Sequence, residues 1–204
     1  MANKKRVFLA IIPPKKIIST IERSIIPLRV LPIRFLDEQM WHITIHFLGY
    51  VDKLNLKVLD KIAKRCVENT QTFKINASSV SWGPPDSAPR MIWLNLDVPK
   101  EYLDLALCFK TALKESQKTG KFPRFIAKKE QFGEKIYSHI TLARFEQEDW
   151  GKVQHTFENL KLTMPELNTA FDVSAIYIME SRLSRQGAKY NKIGEYTIKM
   201  VHKP

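Results

Sequence analysis

The chain has 204 residues, of which 44% are hydrophobic and 26% charged, which is ordinary for a globular protein with a sizeable core. No apolar run reaches the length of a membrane span, so we expect no membrane segment. The net charge of +12 favours an anionic partner, nucleic acid first, although a solvated lysine-rich surface would give the same value.

Apolar periodicity predicts strands mixed with helices along the whole chain. The segments are a strand at 5–12, a helix from Pro13-Pro14 to about residue 30, a strand around residue 42, a helix after Asp52, paired strands at 72–82 and 90–98, a helix from Pro99 to Gly120, a basic loop at 121–136, a strand around residue 139, a helix at 149–160, and strands at about 169–179 and 193–201. Because strict β-α-β alternation is missing, the order predicts an α+β fold with antiparallel sheets.

Two features of the sequence bear on where the protein works. The basic N-terminus and the short apolar run that ends at Pro13-Pro14 predict a first strand rather than a signal peptide. Cys66 and Cys108 lie in helical patterns and indicate neither a disulfide framework nor a metal site. We therefore expect a cytoplasmic protein.

One short pattern occurs twice, as His-Ile-Thr-Ile at 42–45 and as His-Ile-Thr-Leu at 139–142. Each alternates with the period of a β-strand, so the histidine and the threonine point to the same face. A single strand histidine is usually a half-buried structural residue, but the chain has only five histidines, and the repeat in one frame favours function. Two imidazoles that line one pocket can act as general acid and general base.

No grouping of His, Cys, Asp and Glu has metal-ligand spacing, and the chain contains neither a P-loop nor a nucleotidyl-lysine motif. We therefore expect chemistry without a metal ion, ATP or another cofactor.

These features resemble the two-histidine (2H) phosphoesterase superfamily, in the branch of RNA 2′,3′-cyclic phosphodiesterases that are also called 2′-5′ RNA ligases. Beyond the repeated motifs, the resemblance extends over essentially the whole chain: it includes the opening strand at 6–11, Arg34-Phe35, the central strand at 89–94, and the closing hairpin at 175–187 with Tyr190. Two departures are Ser138, where the family often has proline, and the longer, more basic loop at 121–136.

The resemblance implies one bilobal domain over residues 1–204, in which two antiparallel sheets flanked by helices enclose a cleft with one His-x-Thr motif per lobe. It implies that His42 is the proton donor and His139 the proton acceptor. Thr44 and Thr141 would bind the phosphate oxygens. The substrate would be RNA with a 2′,3′-cyclic phosphate end, tRNA fragments among the candidates, and we expect a monomer.

The remaining candidates depend on which face of a strand they occupy or on charge. Arg144 is a phosphate-binding candidate by the resemblance, although strict alternation puts it on the face opposite His139. His46 shares the predicted face of His42, where it would lie near the rim of the pocket or, as is more usual, be a solvated strand residue, and Trp41 is predicted to point into the core. Two larger groups are candidates by residue type alone. Candidates for the RNA backbone are Arg34, Arg90, Arg124, Lys128 and Lys129, and candidates for base stacking are Phe47, Tyr137 and Tyr190.

Two further functions stay open. One is a cyclic phosphodiesterase for small nucleotides or a 2′-5′ oligonucleotide phosphodiesterase. The other is a non-catalytic module that binds nucleotides or RNA on the same fold, although the intact histidines and threonines of both motifs count against it.

Overall fold

The computed structural model describes residues 4–120, 122, 138–184 and 187–199, and these ranges contain nine strands and four helices. In chain order they are β1 (Lys5–Ile11), α1 (Lys15–Ile25), β2 (Arg34–Phe35), β3 (Ile43–Val51), α2 (Lys53–Glu68), β4 (Phe73–Gly83), β5 (Met91–Asp97), α3 (Lys100–Lys118), β6 (His139–Arg144), α4 (Trp150–Asn159), β7 (Glu166–Val173), β8 (Ala175–Ser184) and β9 (Gly187–Thr197). The predicted basic loop at 121–136 lies outside the described residues, apart from Phe122.

The strands form one curled antiparallel sheet that is built as two arms. One arm has the order β7-β4-β5-β6, the other has the order β3-β1-β8-β9, and β2 pairs with β6. The arms join between β6 and β3 through a single residue pair, Ile43 with Ile140. The predicted α+β fold with antiparallel strands is confirmed, and the two predicted sheets are the two arms.

One face of the sheet holds the main hydrophobic core. Ile17, Ile21 and Ile25 recur at helical spacing in α1 and are buried there, together with alternate residues of the strands. The other face, called the open face below, carries a smaller buried cluster that includes Phe8 and Met179. Because successive strand residues point to opposite faces, β1 contributes to both clusters.

Local chemistry sets the ends of the helices. Asp52 caps α2, since its side-chain Oδ1 accepts a hydrogen bond from the Asn55 backbone N–H at 2.9 Å, as predicted. The predicted first helix is shorter than expected: α1 ends at Ile25 and a 3₁₀ turn over Ile26–Val30 follows. Pro27 explains the change, because proline cannot donate the α-helical hydrogen bond. None of the helices in the described ranges has the length and apolar composition for crossing a membrane.

The C-terminal strands differ from the prediction of a single strand at about 169–179. The chain breaks at Ser174, so that β7 pairs with β4 in one arm and β8 pairs with β1 in the other. The apolar alternation continues across this break because both strands are half-buried. Periodicity alone therefore does not show that the chain passes from one arm of the sheet to the other. The last strand also begins earlier than expected, at Gly187.

Cys66 of α2 and Cys108 of α3 form a disulfide. The expectation that the cysteines would not pair is therefore wrong. Their positions in two helical patterns were recognised correctly, but periodicity does not show which helices pack side by side.

Candidate active site

The pairing of Ile43 with Ile140 brings the two repeated motifs together. Both isoleucines are fully buried on the core side, so the histidine and the threonine that flank each of them belong to the open face. Counting outward from the pair in antiparallel register, each histidine lies across from the threonine of the other motif: His42 from Thr141, and His139 from Thr44. The four residues that the sequence singled out thus lie together, all half-buried.

His42 is held by a backbone carbonyl and by two aromatic rings. Its Nδ1 lies 2.6 Å from the Met40 carbonyl oxygen. Since a carbonyl only accepts, Nδ1 donates and carries the proton in the neutral ring, which leaves Nε2 for a ligand. The imidazole centroid is 4.8 Å from the Phe8 ring and 5.0 Å from the Tyr190 ring, which meets it edge-on.

The pKa of His42 is lowered below the ordinary value of 6.5, chiefly because burial disfavours the charged imidazolium. The hydrogen bond to Met40 opposes this shift, and the positive charge of Arg144 adds to it. Without a ligand, His42 is therefore more often neutral at neutral pH than an exposed histidine would be.

His139 stacks on Trp93. The two rings are nearly parallel, with an interplanar angle of 12° and centroids 3.7 Å apart. Trp93 is itself buried, and Gly83 lies so close to it that an added Cβ would come within 2.3 Å of the ring. The indole is therefore packed between the Gly83 backbone and the His139 imidazole, which fixes the plane of that imidazole.

A polar cluster adjoins His139 on the same arm. Asn95 is the register partner of His139, and its side-chain amide donates to the hydroxyls of Ser79 at 3.2 Å and Ser81 at 2.9 Å. Two residues of β4, Ser78 and Ser79, lie opposite Asn95 at a bulge. The sequence pattern predicted no role for Trp93 or Asn95; the one sequence feature that marks Asn95 is an amide in the middle of an apolar strand.

Thr44 and Thr141 occupy equivalent places in the two arms. Thr44 pairs with Ala10 of β1, and Thr141 pairs with Trp93 of β5. Both are half-buried, and within the described part of the chain neither hydroxyl makes a hydrogen bond. Both hydroxyls are thus available to donate to a ligand.

Arg144 returns to the face of His139 because β6 contains a bulge. The register with β5 skips one residue, since Ile92 pairs with Ala143 whereas Trp93 pairs with Thr141. Leu142 and Ala143 are accordingly both buried, and the next residue, Arg144, is exposed. The prediction that Arg144 lies on the opposite face is therefore wrong, because strict alternation does not hold across a bulge. Its charge acts on His42.

Arg34 lies directly across from Arg144 in the β2–β6 pair. Its guanidinium rests against the backbone of Gly187, where an added Cβ would overlap it. Gly187 begins β9 of the other arm, so this contact joins the two arms. The candidate substrate-binding residue Arg34 is thereby placed beside Arg144.

His46 does not share the face of His42. The register of β1 with β3 skips Ile45, since Leu9 pairs with His46 whereas Ala10 pairs with Thr44. His46 therefore turns into the core, where its relative exposure is 1%, and burial together with the charge of Lys110 lowers its pKa to about 4. The predicted rim or solvated position is wrong for the same reason as for Arg144.

The aromatic candidates divide into three groups. Trp41 is buried, as predicted. Phe47 is 42% exposed on the open face, 5.6 Å from the Phe8 ring, and Tyr190 contacts His42. Tyr137 and the basic candidates Arg124, Lys128 and Lys129 lie outside the described residues.

Among the residues that are described, no three His, Cys, Asp or Glu side chains are grouped as metal ligands would be.

Comparison with known proteins gives a family match and a fold. Residues 12–93 match the family described as LigT like Phosphoesterase. TT0787 of Thermus thermophilus is 17% identical, with a TM-score of 0.72 over 97% of this chain and 100% of that one. Escherichia coli LigT in complex with 3′-AMP is 21% identical, with a TM-score of 0.69 over 96% of this chain and 99% of LigT. The complex of E. coli LigT with NADP+ is 20% identical, with a TM-score of 0.70 over 96% and 99%.

No curated protein matches the chain. At these identities the structural likeness shows the fold, and it extends over almost the full length of each chain. The family match includes the first repeated motif. Together they support the LigT-like 2H phosphoesterase family that the repeated motifs indicated.

Proposed function

We propose that this chain, a LigT-like 2H phosphoesterase, hydrolyses the 2′,3′-cyclic phosphate at an RNA end to a 2′-phosphate by metal-independent acid/base catalysis between His42 and His139. The observation that carries the proposal is the pairing of Ile43 with Ile140, which sets one histidine and one threonine from each arm around a single point of the open face. A phosphate bound there meets two imidazoles and two hydroxyls.

The reaction needs one base and one acid on opposite sides of the phosphorus. His139 takes a proton from water, whose oxygen bonds to phosphorus. The bond from phosphorus to the 3′-oxygen breaks, and His42 gives that oxygen a proton. The products are a 2′-phosphate and a 3′-hydroxyl, and the two histidines return to their starting states by exchanging protons with solvent.

The proton donated by His42 comes from Nε2, because Nδ1 is engaged by Met40. The depressed pKa of His42 in the ligand-free protein works against this role. A bound phosphodiester supplies a negative charge beside the ring, which favours the imidazolium. Protonation of His42 is thereby coupled to substrate binding.

The other side chains stabilise charge on the phosphate. The hydroxyls of Thr44 and Thr141 donate to the non-bridging oxygens, where negative charge develops. Arg144 adds a fixed positive charge, on the face to which the β6 bulge returns it. With a 5′-hydroxyl in place of water as the nucleophile, the same groups would open the cyclic phosphate to a 2′-5′ linkage, and the 3′-oxygen would again leave with a proton from His42.

A phosphodiesterase for small nucleotides is the second candidate. E. coli LigT has been solved with 3′-AMP, ATP and NADP+, so a relative in fold accommodates nucleotides on their own. The chemistry at the two histidines would be the same for such a substrate. The two candidate functions differ in the substrate: an RNA strand continues beyond the terminal nucleoside, whereas a small nucleotide does not.

The test is product analysis with an RNA oligonucleotide that ends in a 2′,3′-cyclic phosphate, in EDTA and without ATP. We expect a 2′-phosphate end. His42→Ala and His139→Ala should each lower turnover by about 10²- to 10⁴-fold, the usual contribution of a general acid or base. His155→Ala is the matched control, because His155 is an exposed histidine of α4.

Circular dichroism should show that both variants stay folded. A 3′-phosphate product would contradict the assignment of the leaving oxygen. Near-normal turnover by His139→Ala would contradict the two-histidine mechanism.

A further inference from the structure

Two arginines face each other next to the reacting groups. Arg34 and Arg144 are direct partners in the antiparallel β2–β6 pair, so their side chains leave the same face with Cβ atoms about 5 Å apart. Like charges in such a pair destabilise a sheet. Local rules of this kind are broken mainly at functional sites.

A third arginine adds to this charge. Arg90 immediately precedes β5, and its carbonyl accepts a hydrogen bond from the Phe145 N–H at 3.0 Å, which ties it to the end of β6. The pKa of Arg144 is lowered chiefly by partial burial of its guanidinium; Tyr190 opposes this shift, and the positive charges of Arg90 and Arg34 add to it. In the described part of the chain, neither Arg90 nor Arg144 forms an ion pair with a carboxylate.

The cluster extends outward from the motif residues. Arg144 follows Thr141 on the open face through the β6 bulge, and its charge acts on His42. Arg34 is the next side chain across the ladder and is braced by Gly187 of the other arm. A ligand whose reacting phosphate lies at the histidines therefore meets Arg144 first and Arg34 beyond it. The charge of Arg90 acts close to Arg144.

We infer that Arg34 and Arg90, next to Arg144, form a binding site for a second phosphate, the one on the 5′ side of the terminal nucleoside. In RNA this is the internucleotide phosphate that precedes the cyclic end, and in a small nucleotide it is the 5′-phosphate. Guanidinium groups suit the role, because their planar fork of donors matches phosphate oxygens. The inference rests on the proposed function, since it takes the cyclic phosphate to lie at the histidines.

The experiment measures kcat/KM for four substrates. They are a 2′,3′-cyclic mononucleotide, the same compound with a 5′-phosphate, a dinucleotide that ends in the cyclic phosphate, and that dinucleotide with an uncharged methylphosphonate linkage. For the wild-type protein we expect the charged dinucleotide to exceed the uncharged one by about tenfold, as for a hydrogen-bonded charged group.

Variants locate the effect. Arg34→Gln and Arg90→Gln should bring the ratio of charged to uncharged dinucleotide close to one. Arg65→Gln, which removes the same charge from an exposed position on α2, should leave the ratio unchanged. Because each variant is judged by a ratio within one protein, a general loss of activity does not imitate the result.

The outcomes separate the two proposals. If all four substrates are hydrolysed at ratios near one, or if Arg65→Gln changes the ratio as much as the other variants do, the second phosphate site is refuted while the proposed function stands. If no cyclic phosphate is opened, the proposed function itself fails. A gain for the 5′-phosphorylated mononucleotide as large as for the dinucleotide supports the site with a small nucleotide as its source.

Discussion

Gly83→Ala should lower the rate of catalysis by displacing the Trp93 ring and, with it, the His139 imidazole. The added Cβ would lie 2.3, 2.5 and 2.8 Å from three neighbouring atoms of the Trp93 ring. Carbon atoms in contact normally stay about 3.5–4.0 Å apart, so the ring must retreat by roughly 1 Å. Because the three atoms are almost equally close, the methyl approaches one face of the indole, and His139 covers the other at a centroid distance of 3.7 Å.

The displacement therefore reaches His139. A misplacement of about 1 Å in a catalytic group costs on the order of 100-fold in rate. Overpacking also lowers the free energy of unfolding by about 1–3 kcal/mol. We expect kcat on a 2′,3′-cyclic mononucleotide to fall by roughly 100-fold while the protein remains folded at 20 °C.

Two controls separate a moved histidine from a weakened fold. Gly151→Ala adds a methyl in α4, where no heavy atom lies within 4 Å, and should leave kcat unchanged. Val153→Ala removes buried volume from the same helix and should lower stability while sparing kcat. A Gly83→Ala protein that loses stability, measured by urea unfolding, but keeps the wild-type kcat would show that the added methyl does not move His139.

Two predictions concern pH. Arg144→Gln removes a positive charge that lowers the pKa of His42, so we expect the pKa of His42 to rise. Because the proposed proton donor sets the alkaline limb of the pH profile of kcat/KM, that limb should move to higher pH. If the acid limb moves instead, the roles of the two histidines are reversed. His46 stays neutral in the fold down to pH about 4, whereas the unfolded chain protonates it near 6.5, so stability falls as pH drops through this window. Between pH 7.5 and 4.5 the loss is about 2.5 kcal/mol, and urea unfolding of His46→Leu at these two pH values should show a loss that is smaller by that amount. Equal losses in both proteins would contradict the burial of His46 in its neutral form.

The sequence predicted the positions of the four motif residues because the strands keep strict alternation between each histidine and its threonine. It failed two or three residues after each threonine, at His46 and at Arg144, and for one reason. A bulge adds a residue to one strand and exchanges its faces, and a period of two contains no sign of it.

The two bulges differ in how far the sequence could have revealed them. In β6 the consecutive apolar residues Leu142 and Ala143 break the alternation, which is a usable sign. In β3 the residue that turns inward is His46. Strict alternation predicts a polar residue at this position, so the sequence gives no sign of the bulge. Only the pairing with β1 shows that this histidine is a core residue.

The two motifs are nearly symmetric about the Ile43–Ile140 pair, yet acid/base catalysis needs two unlike groups. The surroundings supply the difference. His42 lies against Phe8 and Tyr190, with Nδ1 committed to a carbonyl and a guanidinium charge nearby.

His139 instead lies flat on Trp93, beside the Asn95 amide and its serines. A pair of titratable groups takes different roles when its environments differ in this way. The motif explains why two imidazoles meet. Under the proposed mechanism, the aromatic rings and the Arg144 charge around His42, and the indole and amide around His139, make the two imidazoles unlike, as a proton donor and a proton acceptor must be.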